Sequence, residues 1–341
     1  MTDAFDRLCG TGPGPVGIAV SGGSDSLALL VLAKAWSDRT GRPLIALTVD
    51  HRLRPEAADE ARFVAETCAR IGVDHQTLVW DRPVAKQALA RRARHGLMAR
   101  ALRDRGGDRL LLGHTSDDQC ETFLMRARQG STWFGLSGMQ PLALSPAWPE
   151  GEGILLARPL LHRSRADLQA DLKQRGLDWV EDPSNRDPAY ERVRVRRLLG
   201  GQAALKARIL ACQGRFQVLR QMEERLIGRW MESRVEPDPA GGFRVRPQGL
   251  PQERAERALG VMIQIAGGRD VPPRRDALQP LVRRLLAESG FSGATLGGVM
   301  IQRRQGDLVL RPEPDVAGDA ADPERSEARF QAVKRLYLGR T

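Results

Sequence analysis

The chain has 341 residues, 41% of them apolar, and carries a formal charge of +11 with a pI of about 10.4, which predicts two domains and a polyanionic partner such as nucleic acid. Cys9, Cys68, Cys120 and Cys212 form no C-x-x-C pair, which argues against a zinc ribbon, an iron–sulfur cluster or a disulfide framework and fits a reducing cytosol. With no basic-then-apolar leader and no apolar run near the ~20 residues of a membrane span, a soluble cytoplasmic protein without membrane contact is expected. Strand-like runs at 16–20, 43–50, 75–80, 109–114 and 154–159 alternate with helix-like segments at 26–37, 56–71, 84–105, 117–128 and 164–175. That alternation predicts an α/β fold: a mostly parallel, doubly wound sheet covered on both faces. An Arg-rich stretch follows at 180–203, then a long helix at 203–233 with an apolar stripe (Ile209, Phe216, Leu219, Met222, Leu226, Trp230) expected to be a packing face. "EPDPAGG" at 236–242 reads as a turn, and 243–311 as a small α+β unit closing in a hairpin. The expected organisation is an α/β domain over 1–200, a helical connector over 201–240, the α+β unit over 241–314 and a tail over 315–341 that ends in a short helix.

The first strand leads into Ser21-Gly22-Gly23-Ser24-Asp25-Ser26 and then directly into a helix. A strand, a Gly-rich turn and a helix N-terminus aim several backbone N–H groups at one spot, where an anion binds. The alternative is a plain helix cap by Ser24 or Asp25, although two glycines and three hydroxyls exceed what a cap needs. No Gly-Lys-Ser or Gly-Lys-Thr occurs, so the lysine of the common mononucleotide loop is missing. S-G-G-x-D-S after a strand resembles the pyrophosphate loop of the N-type ATP pyrophosphatases, the PP-loop superfamily. The resemblance implies ATP as substrate, cleaved between its α- and β-phosphates, with Ser21 to Ser26 on the departing pyrophosphate and Asp25 on Mg2+.

Ligands in such sheets collect at the carboxyl ends of strands. "VDH" at 49–51, with Asp50 and His51, and "GHTSDDQCET" at 113–122 both sit there, so both are expected to converge on the turn. Asp118 and Glu121 are three residues apart and share a helix face, preceded by His114 and Asp117. The spacing also fits a capping box with Asp118 as N-cap and Glu121 as its partner. Carboxylates beside a triphosphate require a cation, either magnesium or a substrate ammonium. Arg91 and Arg94 share a face of a basic helix that could equally be a solvated surface. Arg192, Arg194, Arg196 and Arg197 read as an extended or loosely helical strip suited to a nucleic-acid backbone.

S-G-G-S-D-S, "VDHRLRPEAADEA", "ARRAR", "GHTSDDQCETFLMR", "GLSGM", "RPLL" and "EDPSNRDPAYERVRVR" occur in an order that resembles the tRNA(Ile)-lysidine synthetase family. The likeness is dense over 15–200 and looser over 243–311. It implies adenylation by ATP of the wobble cytidine of the CAU-anticodon isoleucine tRNA, then attack by the ε-amine of L-lysine to give lysidine, AMP and pyrophosphate. It places Asp25, Arg94, His114, Asp118 and Glu121 in catalysis, with Asp118 and Glu121 on the lysine. Ser21, Gly22, Gly23, Ser24, Asp25, Ser26, Asp50 and His51 fall to ATP. Arg126, Arg192, Arg194, Arg196 and Arg197 fall to tRNA, and the 241–314 unit to tRNA binding. Three features, at four positions, depart from the family pattern. His95 stands where a tyrosine follows the family arginine, Val193 replaces an asparagine, and Trp133 and Phe134 replace small residues, to stack on a base or to pack. The base that deprotonates the ε-amine is a carboxylate or His114.

Rival readings remain on the sequence. A tRNA-thiolating relative would need paired cysteines, and a small-molecule amidating relative would not need the Arg-rich 180–200 segment. A non-catalytic RNA-binding protein on a relic nucleotide fold would show an eroded turn, whereas Asp25 and its flanking serines are intact.

Overall fold

The computed structural model describes residues 2–52, 57–81, 87–181, 187–239, 241–287, 291–314 and 322–340. Parts of the stretches singled out above (53–56, 84–86, 182–186 and 315–321) lie outside the described residues. Residues 1–145 with 154–220 form one compact unit, and 146–153 with 221–341 form the other.

The first unit runs α1 (Thr2–Leu8), β1 (Val16–Ala19), α2 (Ser24–Thr40), β2 (Leu44–Asp50), α3 (Ala57–Ile71), β3 (Asp74–Val79) and α4 (Gln87–Arg103). It continues through β4 (Arg109–Leu111), α5 (Ser116–Arg128), α6 (Trp133–Leu136), β5 (Leu142–Leu144), β6 (Leu155–Ala157), α7 (Arg165–Gln174), α8 (Glu191–Leu199) and the first part of α9 (Ala203–Arg234). The sheet order is β3-β2-β1-β4-β6-β5, parallel throughout except for the edge strand β5, which is antiparallel to β6. Alternation along the strands builds two separate cores. Leu44, Ala46 and Leu111 point into one with Leu27, Leu30 and Val64, whereas Ile45, Leu47, Leu110 and Leu112 point into the other with Met98 and Leu102 of α4. A strand buried on both faces must be apolar at every position, which is why "LIALTV" and "RLLL" are near-continuous apolar runs. The strand order reverses between β1 and β4, and a ligand crevice opens at such a switch point.

The second unit pairs β7 (Val235–Pro237), β8 (Phe243–Val245), β9 (Ala294–Leu296), β10 (Val299–Arg304) and β11 (Asp307–Pro312) in the order β7-β8-β11-β10-β9, all antiparallel. Helices α10 (Gln252–Ala266), α11 (Arg275–Ala287) and α12 (Pro323–Leu338) complete it. The expected turn at 236–242 is the bend of the β7–β8 hairpin. Three features depart from the expected organisation. The division between units falls inside α9 rather than at residue 200, and residues 146–153 join the second unit, where the Trp148 amide donates to Asp270 Oδ1 at 2.8 Å and the Arg329 guanidinium lies 4.5 Å from the Trp148 ring centre. The apolar stripe of α9 is buried only at Ile209 and Trp230, while Leu219, Met222 and Leu226 are 48%, 57% and 42% exposed. Arg192, Arg194, Arg196 and Arg197, finally, sit on the regular helix α8 and not on an extended strip.

Candidate active site

The Ser21–Ser26 turn leaves the sheet at β1, next to the switch point. Gly22 adopts φ +82°, a conformation that side chains resist, and Gly23 is the N-cap of α2 with no side chain capping it. Neither Ser24 nor Asp25 is the N-cap, so the plain capping expectation does not describe this helix start. The hydroxyls shape the turn instead: Ser26 Oγ donates to the Gly23 carbonyl at 2.9 Å, and the Ser21 amide donates to Ser26 Oγ at 3.2 Å. The first N–H groups of α2 lack an intrahelical acceptor and a side-chain cap, which suits a phosphate.

The exit of β4 packs directly on this turn. A Cβ at Gly113 would stand 2.9 Å from the Asp25 carbonyl oxygen, so only glycine permits the approach that brings His114 and α5 to Asp25. The N-cap of α5 is Thr115, and its capping-box partner is Asp118 rather than Glu121. Asp118 Oδ2 accepts from both the amide and the hydroxyl of Thr115 at 2.8 Å. Its other oxygen, Oδ1, faces Arg192 Nη2 at 3.2 Å and Arg165 Nη2 at 3.4 Å. Asp118 is thus the partner in a capping box and not its N-cap, and its second oxygen is turned to the arginines.

Four carboxylates and four cations interleave here. Glu121, with a side chain only 2% exposed, takes Arg192 Nε at 2.7 Å, Arg196 Nε at 2.8 Å and Arg165 Nη1 at 3.7 Å. Arg165 Nε donates to Asp25 Oδ2 at 2.8 Å, and Asp117 receives Lys206 Nζ at 2.6 Å and the Arg165 amide at 2.8 Å. Burial raises the Asp25 pKa, with the Asp118 charge adding to it and Arg165 opposing. At Asp118 burial works against ionisation, but Arg165 and Arg192 outweigh it and the pKa falls. Burial, together with the Arg158 charge, pushes His114 down to about 4 against the opposing Asp118, so its imidazole is neutral near pH 7.

Arg192 and Arg196 were expected to lie along a phosphate backbone; they instead close over Asp118 and Glu121, because the helical turn of α8 presents positions four apart to α5. Arg194 and Arg197 are exposed, with Arg194 Nη1 donating to the carbonyls of Pro188 and Ala189 at 2.8 and 2.9 Å. Arg126 Nη1 donates to the Gly135 carbonyl at 2.6 Å beside Phe134, whose ring lies 4.4 Å under the Arg220 guanidinium. Trp133 and Phe134 are half-buried and meet edge to face at 5.7 Å. Asp50 and His51 sit at the carboxyl end of β2, where Asp50 Oδ1 accepts from the Arg52 amide at 2.9 Å and His51 meets Trp80 edge to face at 6.1 Å. Arg94 lies on α4 beside the buried His95, and desolvation with the charge of Arg91 lowers its pKa. Arg165 and Lys206 were not foreseen. A signal for Arg165 exists: a basic residue in the first turn of a helix opposes the helix dipole and calls for carboxylates nearby.

Comparison with known proteins agrees with this geometry. A PP-loop domain model matches residues 5–203. The tRNA(Ile)-lysidine synthase of Hyphomonas neptunium is 52% identical over 98% of this chain and 89% of its own length. That of Caulobacter vibrioides is 36% identical over 92% of this chain and 70% of its own. Among solved structures, the U34-tRNA thiolase NcsA from Methanococcus maripaludis shares the fold, at a TM-score of 0.51 and 16% identity over 63% of this chain and 77% of that one. The chain belongs to the tRNA(Ile)-lysidine synthase family.

Proposed function

We propose that this chain uses ATP to adenylate the 2-carbonyl oxygen of the wobble cytidine in a CAU-anticodon isoleucine tRNA, and that the ε-amine of L-lysine then displaces AMP to leave lysidine. The observation that carries the reading is the contact at Gly113, which presses an uncapped, anion-facing helix start against a buried carboxylate cluster. One half suits a phosphate and the other an ammonium group, and the reaction needs both in one crevice.

In the first step the Ser21–Ser26 turn and the N–H groups of α2 hold the departing pyrophosphate. Asp25 would hold a magnesium ion: its carboxylate stands at the uncapped start of α2, with Oδ2 on Arg165 at 2.8 Å and Oδ1 meeting the Ser24 hydroxyl at the longer distance of 3.3 Å. Mg2+ is commonly held in this way, by one or two carboxylates with substrate phosphates and water. The ion would offset the charge that accumulates on the pyrophosphate.

In the second step Asp118 and Glu121 receive an ammonium group of lysine, with Arg165 and Arg192 keeping Asp118 ionised and Arg165, Arg192 and Arg196 holding Glu121 in place. The ε-amine has an unperturbed pKa of about 10.4 and must shed a proton to attack. A carboxylate of the site or neutral His114, the residue before Thr115, takes that proton. Arg94 acts on the reacting groups, while the exposed Arg194 and Arg197, with Arg126 nearby, position the tRNA through its phosphates. Thiolation is disfavoured, since Cys9, Cys68 and Cys120 are buried one by one, with thiols pushed up to about 12, 11 and 11 by desolvation. Incubating the protein with ATP, labelled lysine and the isoleucine tRNA, then weighing the digested nucleosides, tests the reading. Lysidine at the wobble position supports it, and label-free tRNA refutes it.

A further inference from the structure

Linked to the carboxylate cluster through His114 is a second group of buried polar side chains, none of them acidic. Arg158 follows β6 at the carboxyl edge of the sheet and is only 8% exposed. Its Nη1 donates to the Gln140 carbonyl at 2.8 Å, but its Nε is buried and has no hydrogen-bond partner among the described residues. The buried Nδ1 atoms of His95 and His114 and the Nε2 of Gln140 are in the same condition. Four orphaned nitrogens are costly to bury, and in native proteins such a group asks for an explanation.

The charges around them sharpen it. Arg91, Arg94, Arg158 and His114 all act on His95, and after burial their repulsion contributes to pushing it down to about 3. Arg158 itself is pushed down to about 10 by burial and by Arg91. Among the described residues no carboxylate pairs with Arg158. Arg192 and Arg196 differ, because Glu121 already neutralises them. His114 feels both groups: the Arg158 charge disfavours its protonated form and the Asp118 charge favours it.

We infer that Arg158, supported by Arg91, forms the recess that holds the carboxylate of the amino-acid substrate. This rests on the reaction proposed above and names how its second substrate is recognised. A free amino acid carries a carboxylate and an ammonium group on the same carbon, so its recognition needs neighbouring sites of opposite sign. Asp118 and Glu121 supply one, and Arg158 with its unpartnered Nε supplies the other. The recess therefore selects an amino acid over a plain alkyl diamine.

The test compares lysine with cadaverine, which keeps both amines and lacks the carboxylate. The wild-type chain should prefer lysine, and Arg158→Gln should reduce the ratio of the two kcat/KM values by about 10- to 100-fold, the usual worth of a charge-assisted hydrogen bond. Arg158→Lys should restore part of the preference. Arg91→Gln alters an exposed side chain and should shift the ratio in the same direction, which keeps the test open if Arg158→Gln does not fold. If lysine and cadaverine use fall together, or tRNA-dependent ATP–pyrophosphate exchange falls with them, the recess serves a phosphate and the inference is wrong. An unchanged ratio in folded Arg158→Gln also overturns it. A wild-type chain that makes no lysidine at all refutes the proposed reaction instead.

Discussion

Arg165 Nε donates to Asp25 Oδ2 at 2.8 Å, so a residue of the first helical turn after "RPLL" is tied to the anion-facing turn after β1. The same guanidinium reaches Asp118 at 3.4 Å and Glu121 at 3.7 Å, so it is shared by three carboxylates. Arg192 and Arg196 would still neutralise Asp118 and Glu121 if it were removed, but Asp25 would keep the Ser24 hydroxyl at 3.3 Å and the repulsion of Asp118, with no other ion pair among the described residues. Breaking a buried pair costs about 3–5 kcal/mol, and the residual exposure of both partners, 22% and 20%, reduces that. Arg165→Ala should therefore lower unfolding stability by about 2 kcal/mol, read from the urea midpoint, while Arg165→Lys should recover most of it. An unchanged midpoint in Arg165→Ala would mean the three contacts contribute nothing net.

Asp25 has a separate, chemical role in the proposed first step. Asp25→Asn keeps the shape of the turn but removes the negative charge offered to a cation. It should abolish tRNA-dependent ATP–pyrophosphate exchange, a loss of at least about 100-fold, with tRNA affinity close to wild type. Wild-type exchange in this variant would take the turn out of the mechanism.

Much of this arrangement was legible in the sequence because it rests on local rules. The apolar runs gave the parallel sheet, and S-G-G-S-D-S gave the turn, since its glycines and hydroxyls meet local backbone demands. The pairing of Arg192 and Arg196 with Glu121 was not legible, because it joins residues more than seventy positions apart and depends on α8 being helical. Asp118 shows why spacing alone is ambiguous: its two oxygens obey two different rules. The exposed middle of the α9 stripe is a further case, in which helical periodicity identified an apolar face but not whether anything covers it.

His95 and His114 give the protein an acid-side liability. Both have folded-state pKa values below the ordinary 6.5, about 3 and about 4, chiefly through burial. Between those values and 6.5 the unfolded chain binds more protons than the folded one, so stability rises with pH in that window. Their contribution is fully present above pH 6.5 and is lost as pH falls toward 4. The wild-type chain should lose stability on the order of a few kcal/mol between pH 7 and 4, and His95→Gln should flatten that slope. Urea midpoints measured across the range would show it. An identical slope in the variant would mean that His95 is not buried in its neutral form.

Arg94 and Arg194 separate action on substrate from positioning of the tRNA. Arg194 is exposed on α8 and, among the described residues, donates to the carbonyls of Pro188 and Ala189, which leave its charge unneutralised for a phosphate. A phosphate contact releases a counterion, and losing one lowers the salt slope of binding by about one unit. Arg194→Ala should bind tRNA more weakly and less salt-dependently, and saturating tRNA should restore much of the turnover. Arg94 belongs to the group around His95 and lies on the helix that precedes β4 and His114. Arg94→Ala should bind tRNA almost normally yet turn over slowly at every tRNA concentration. Arg192→Ala should resemble neither, because its guanidinium is spent on Glu121 and Asp118; the expected defect is a raised lysine requirement with an unaltered salt slope. If excess tRNA rescues Arg94→Ala but not Arg194→Ala, the two helices have been given each other's roles.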